Sequence, residues 1–207
     1  MKVLLYNGSP RKNGCTYLAL SEIAKVLAQE GIDSEILQLG GTPVRDCTGC
    51  GGCMGKGECV FSDDAVNGWI AKAGEADGFV FGSPVYFAHP AGQLLSAMDR
   101  MFYAGGDAFR HKPAAAVVTA RRAGTTASLD AIQKHFTDAQ MPVVSSTYWN
   151  MVFGPSPELA EQDKEGLQTM RNLARNLAWL LRCIAAGRER GIMPPAAEAQ
   201  AWTSFNR

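Results

Sequence analysis

VLLYNGSPRKNGCT, residues 3–16, passes from an apolar run through a tight turn into a helical start. Residues 3–6 have the content of a buried strand, and Asn7-Gly8-Ser9-Pro10 ends it. Beyond the loop, Leu18, Ile23, Val26 and Leu27 keep helical spacing over residues 15–29 until Gly31 stops the pattern. The same strand-loop-helix unit recurs down the chain. Strands are expected at residues 34–39, 78–82, 114–119 and 142–147, and helices at 63–74, 90–103, 123–139 and 157–187. Strands that are apolar on both faces and alternate with amphipathic helices predict a parallel sheet covered on two sides. This is a doubly wound α/β domain over residues 1–187, with a cysteine-rich loop, 46–62, inserted after the second strand.

A chain of 207 residues buries a core without covalent help. Lys plus Arg equal Asp plus Glu at 20 each, with no polybasic run, so the electrostatic footprint of a nucleic-acid or anionic-membrane partner is missing. The apolar run at the N-terminus is too short for a secretory h-region, and no stretch has membrane-spanning length, so a cytoplasmic protein is expected. Residues 188–207 form a tail too short to fold alone. Its Trp202 and Phe205 want burial, on this subunit or a neighbouring one.

In doubly wound sheets ligands sit beyond the carboxyl ends of the strands. Three loops there stand out. GSPRKNGCT, residues 8–16, offers the Ser9 and Thr16 hydroxyls, the Arg11 cation and a row of backbone N–H groups at a helix start, the makings of a phosphate cradle. It has neither the GxGxxG of a dinucleotide fold nor the GK[ST] of a P-loop, and read alone it also fits an ordinary polar βα turn. SPVYFAHP, residues 83–90, carries Val85, Tyr86 and Phe87 just past a buried strand, where they could support a flat apolar ligand or cover the core edge. TARRAGTT, residues 119–126, brings hydroxyls, amides and two arginines to the same rim. His89, in the second loop, is a candidate to tune a ligand there or donate a proton to it, or a plain support.

DCTGCGGCMGKGEC, residues 46–59, holds four of the six cysteines. A disulfide staple is unneeded in a chain of this size and out of place in a reducing compartment. Zinc ribbons separate their cysteine pairs by a dozen or more residues, so Cys47, Cys50, Cys53 and Cys59, spaced C-x2-C-x2-C-x5-C, suit an iron-sulfur cluster better. The intervening glycines let backbone N–H groups approach the sulfurs. Spacing alone also admits four uncoordinated thiols. Cys183, among Trp179, Leu180 and Ile184, reads as a small buried hydrophobe.

Taken together, the three rim loops resemble the NADPH-dependent FMN reductase family of flavodoxin-like proteins, and the cysteine block resembles its iron-sulfur flavoprotein subgroup. The resemblance spans most of the chain. It implies a five-stranded sheet in the order 2-1-3-4-5 with FMN at the switch point. Ser9, Arg11, Asn13 and Thr16 would hold the phosphate, with Cys15 beside them where such loops often have Asn. Pro84, Val85, Tyr86 and Phe87 would contact the ring and ribityl, and Thr119, Ala120, Arg121 and Gly124 would flank the ring. Cys47, Cys50, Cys53 and Cys59 would carry a 4Fe-4S cluster close enough to exchange electrons with it. Ala88-His89 departs from the Gly and small residue common there. The implied activity is electron transfer from NAD(P)H or a reduced carrier such as ferredoxin to a small acceptor, in a homodimer or homotetramer. A carrier without turnover of its own is the other reading, and a binding-only relative that has lost FMN is a third.

Overall fold

The computed structural model describes residues 1–39, 42–199, 201 and 203. Among the described residues six strands and six α-helices follow one another as β1 (Lys2–Asn7), α1 (Cys15–Gln29), β2 (Asp33–Gln38), α2 (Val66–Gly74), β3 (Gly78–Tyr86), β4 (His89–Pro90), α3 (Gly92–Gly105), β5 (Ala114–Ala120), α4 (Thr125–Asp138), β6 (Met151–Phe153), α5 (Pro157–Ala160) and α6 (Lys164–Glu189). The parallel strands run β2-β1-β3-β5-β6, which is the expected 2-1-3-4-5 order once β4, an antiparallel arm on β3, is set aside.

Alternation along the strands explains the two layers of helix. Val3, Leu5, Val80, Ala115 and Val117 face one way and pack with α1 and α6, whereas Leu4, Tyr6, Phe79, Phe81, Ala114 and Ala116 face α2, α3 and α4. The second face is aromatic. Tyr6 stacks on Phe81 with centroids 4.6 Å apart, and Phe109 bridges Phe79 and Phe102 at 4.9 and 4.6 Å. Among the described residues no helix is long and apolar enough to cross a membrane.

Three expectations need correction. The fifth strand is not residues 142–147: that segment touches β5 only through a bridge at Val143, and the strand proper is β6. Residues 145–149 loop out between them, fastened to α6 by Ser146 Oγ donating to the Thr169 carbonyl (2.7 Å) and Asn176 Nδ2 donating to the Ser145 carbonyl (2.8 Å). Asn150 Nδ2 donates to the Ala116 carbonyl at 3.0 Å, so a side chain fills the missing rung of the ladder. The last helix is also broken. Asp163 caps α6 through Gly166 N–H (2.9 Å) and accepts from Phe153 N–H (2.7 Å), binding the end of β6 to the new helix start. Cys183, finally, is exposed, because the inward face of α6 is Met170, Leu173, Ala174, Leu177, Ala178 and Leu181. Trp202 and Phe205 lie outside the described residues.

Candidate functional site

The carboxyl ends of β1, β3, β5 and β6 open into a cleft of about 220 Å3. On the β1 side the loop is held from below. Gly8 N–H donates to the Gly82 carbonyl (2.8 Å), Ser9 N–H to Asn7 Oδ1 (3.1 Å), and Gln38 Nε2 to the Ser9 carbonyl (2.7 Å), while Asn7 Nδ2 reaches Gln38 Oε1 (2.6 Å). Ser9, 4 % exposed, accepts from Arg11 N–H at 3.1 Å and keeps its own hydroxyl proton to give. α1 begins at Cys15 with no side-chain cap and no acid in its first turn, so its positive end faces the cleft unopposed. Thr16 and Thr119, both buried, share a hydrogen bond of 2.9 Å that joins the first loop to β5.

The opposite wall is β3 and its arm. β3 runs further than the apolar run suggested and takes in Pro84, Val85 and Tyr86, before Phe87 (φ 50°) and Ala88 (φ 59°) turn the chain back into β4. Two left-handed residues make this the tight hairpin turn that glycine or asparagine normally supplies. Gly124 (φ 88°) packs under that turn, and a Cβ there would lie 2.4 Å from Ala88 Cα.

Of the residues expected at this site, Ser9, Arg11, Cys15, Thr16, Pro84, Val85, Tyr86, Thr119, Ala120 and Arg121 line the cleft. Asn13 faces solvent, Phe87 is fully exposed at the hairpin tip, and Gly124 acts from behind; none of the three lines it. His89 is exposed on β4 opposite Tyr86. Gly154 and Pro155 line the cleft without having been expected there: with the last strand placed too early, the segment after it, residues 146–154, pointed to Tyr148 and Trp149, which do not line it. Cys15 Sγ donates to the Gly154 carbonyl at 3.5 Å, and burial pushes its thiol above the ordinary value. Among the described residues the lining contains two arginines, Arg11 and Arg121, and no Asp or Glu. Hydroxyls, a helix start and cations at one end, with Pro84, Val85 and Tyr86 at the other, fit an apolar ring carried on a phosphomonoester.

The second candidate site lies along α3. The cysteine loop descends that helix: Gln93 Nε2 donates to the Thr42 carbonyl, Ser96 Oγ to Asp46, and Arg100 Nη1 to the Arg45 carbonyl (3.3 Å). Cys47, Cys50, Cys53 and Cys59 all line one small void beside Arg100, Tyr103 and Ala104. Arg100 lies eight residues past the start of α3 at Gly92, about 12 Å along the helix from the end that follows the hairpin. Gly49 (φ 63°) and Gly51 (φ 68°) let the chain curl between the first cysteines. Cys50 is held below the ordinary thiol value, chiefly because the Gly52 N–H donates to it and then because the Thr48 hydroxyl does. Asn67 grips Cys59 by both its N–H and its carbonyl, each at 2.8 Å.

Arg100, which the sequence reading did not single out, is 1 % exposed. Its guanidinium pairs with Asp64, whose side chain is 6 % exposed, donates from Nη2 to the Phe61 carbonyl (2.9 Å), and from Nε to Cys59 Sγ (3.3 Å). Although burial opposes it, the guanidinium holds the Asp64 carboxyl below the usual range. Among the described residues no group of three or more His, Cys, Asp or Glu is arranged to hold a single metal ion. Four thiols around one void, one with its thiolate favoured by backbone N–H, fit a larger thiophilic group better than a zinc ion, whose sulfurs would have to close to within about 3.8 Å of each other.

Comparison with known proteins places the chain in a family. Residues 1–155 match the model of the NADPH-dependent FMN reductase family. An iron-sulfur flavoprotein of Methanocaldococcus jannaschii is 35 % identical over 89 % of this chain and 99 % of its own length. Another, from Methanosarcina thermophila, is 26 % identical over 92 % of this chain and all of its own. In fold the chain is similar to a flavodoxin from the domain Archaea, with a TM-score of 0.59 at 15 % identity over 88 % of this chain and 99 % of that one. The chain therefore belongs to the NADPH-dependent FMN reductase family, and within it to the iron-sulfur flavoproteins.

Proposed function

We propose that this protein is an FMN-dependent oxidoreductase that takes electrons from NAD(P)H or a reduced carrier and passes them to a small acceptor such as a flavin or quinone. The single observation that carries the reading is the acid-free cleft in which Ser9, Arg11, Thr16 and the start of α1 converge opposite Pro84–Tyr86. Arg11, the Ser9 and Thr16 hydroxyls and the first N–H groups of α1 hold the FMN phosphate. Val85 and Tyr86 support the ring, and Thr119 to Arg121 close its other side. Cys15 stays a neutral thiol there, which spares the phosphate a second anion, and its bond to Gly154 keeps the outer wall in place. Bound FMN supplies hydride acceptance and one-electron release, so no side-chain nucleophile is required.

Cys47, Cys50, Cys53 and Cys59 hold a 4Fe-4S cluster, whose chemistry is one-electron exchange. Fully exposed Phe87 and the exposed pair Tyr148 and Trp149, with ring centroids 5.0 Å apart, supply the apolar surface for a homodimer or homotetramer. Exposure of Cys50 and of Met54 beside it favours a second reading, in which electrons pass to or from a carrier protein such as ferredoxin. Anaerobic assay of the FMN-loaded protein separates the two. Steady NADPH or NADH oxidation with FMN, quinone or ferricyanide supports the oxidoreductase. No turnover, with reduction by ferredoxin, supports the carrier.

A further inference from the structure

We infer that Arg100 is the positioning residue for the Cys59 thiolate, and that its Nε–H···Sγ hydrogen bond raises the reduction potential of the cluster held by that sulfur. The inference rests on the cluster reading above. A guanidinium in the interior must have its donors satisfied. At Nη1 and Nη2 Arg100 uses oxygen acceptors, the Asp64 carboxylate and the Arg45 and Phe61 carbonyls, but at Nε its partner is Cys59 Sγ at 3.3 Å. A neutral thiol is a weak acceptor and a thiolate a good one. Arg100 and Asp64 already balance each other's charge, so what the fork adds for Cys59 is the directed Nε–H donor at its sulfur.

The placement is specific to the sulfur. Asn67 already fixes the Cys59 backbone from both sides, so Arg100 is not needed to hold the residue, only to face its side chain. The Arg45 guanidinium lies over the Phe61 ring at 4.5 Å, and the Phe61 carbonyl fixes Arg100 Nη2, which together aim the fork. Adding one electron to a cluster increases the charge on its ligand sulfurs, so a fixed donor favours the reduced form more than the oxidised one.

The test is an EPR-monitored redox titration of anaerobically prepared protein, with iron and sulfide measured on the same samples. Arg100→Met combined with Asp64→Asn removes both buried charges and leaves the net charge unchanged, so it isolates the hydrogen bond. The expected result is full iron content with the one-electron reduction equilibrium shifted at least tenfold toward the oxidised form, about 59 mV lower. Asn67→Ala, which loosens Cys59 without touching its sulfur, should shift the equilibrium less than about threefold. An unchanged potential at full iron content, or an equal shift in Asn67→Ala, overturns the inference and leaves the cluster reading standing. If the double variant does not fold or load iron, Arg100→Lys decides: it keeps a cation opposite Asp64 but lacks the planar fork, and an unchanged potential there also overturns the inference. Wild-type protein that takes up no iron overturns the cluster reading and this inference with it.

Discussion

The rim cleft is set by the ends of parallel strands, whereas the cysteine loop hangs on side chains of the helices beside it, Arg100 and Asn67 foremost. The cleft is assembled where four parallel strands end, and its walls are tied by short bonds among Asn7, Gly8, Gln38 and Gly82 and between Thr16 and Thr119. Among the described residues the cysteine loop has no strand or helix of its own, and it leans on α3 through Arg100 and on α2 through Asn67. A site made by sheet geometry should be present before its ligand arrives. A site made by a loop fastened through a few side chains should depend on those side chains, the buried Arg100 above all, and on what the sulfurs bind. The two sites should therefore fail separately.

The largest effect expected from breaking that separation is at Arg100. Arg100→Leu leaves Asp64 buried and unpaired, and urea denaturation at neutral pH should show a loss of about 3–5 kcal/mol. FMN affinity measured under folding conditions should change little. Next comes Gly124→Ala, which forces a Cβ into the Phe87-Ala88 turn at a left-handed backbone position. It should cost about 2 kcal/mol and weaken FMN binding tenfold or more while leaving iron content alone, as read by fluorescence titration and iron assay. Equal loss at both sites in either variant would mean that the two are one cooperative unit.

A smaller effect distinguishes the sites by pH. The folded carboxyl of Asp64 sits below its unfolded value of about 3.9, so its pairing stabilises the protein fully above that value and is lost as pH falls through the folded one. The cleft lining holds no Asp or Glu to respond in that range. Urea midpoints followed from pH 6 to pH 3 should fall less steeply in Asp64→Asn than in wild type, and identical slopes would assign the acid sensitivity elsewhere.

Much of this was legible in the sequence, and the exceptions have physical causes. Residues 78–82 announce a buried strand by being almost wholly apolar, and the alternation of elements gave the doubly wound class, while the order of the parallel strands came from the family resemblance. β6 did not announce itself, because three residues carry too little pattern and the more strand-like stretch before it is pushed out of the sheet at residues 145–149. That error hid Gly154 and Pro155, which the rule about carboxyl-end loops would otherwise have found. Phe87 was expected at the ligand and stands instead at a hairpin tip, since β3 continues four residues beyond the strand end its composition implied. Arg100 escaped notice because an arginine in a helix is ordinarily solvated. The signal was its spacing: it falls three and four residues from Ala97 and Ala104, on the inward face of α3.

The central claim is that the cleft and the cysteine loop are separate sites in one chain. It is tested most directly by assaying FMN, iron and sulfide per chain in anaerobically purified wild type and Cys50→Ala. Wild type should carry about one FMN with roughly four iron and four sulfide, and the variant should lose the iron and sulfide and keep its FMN. Loss of all three together in the variant, or a wild-type protein that does not retain FMN, would contradict the account.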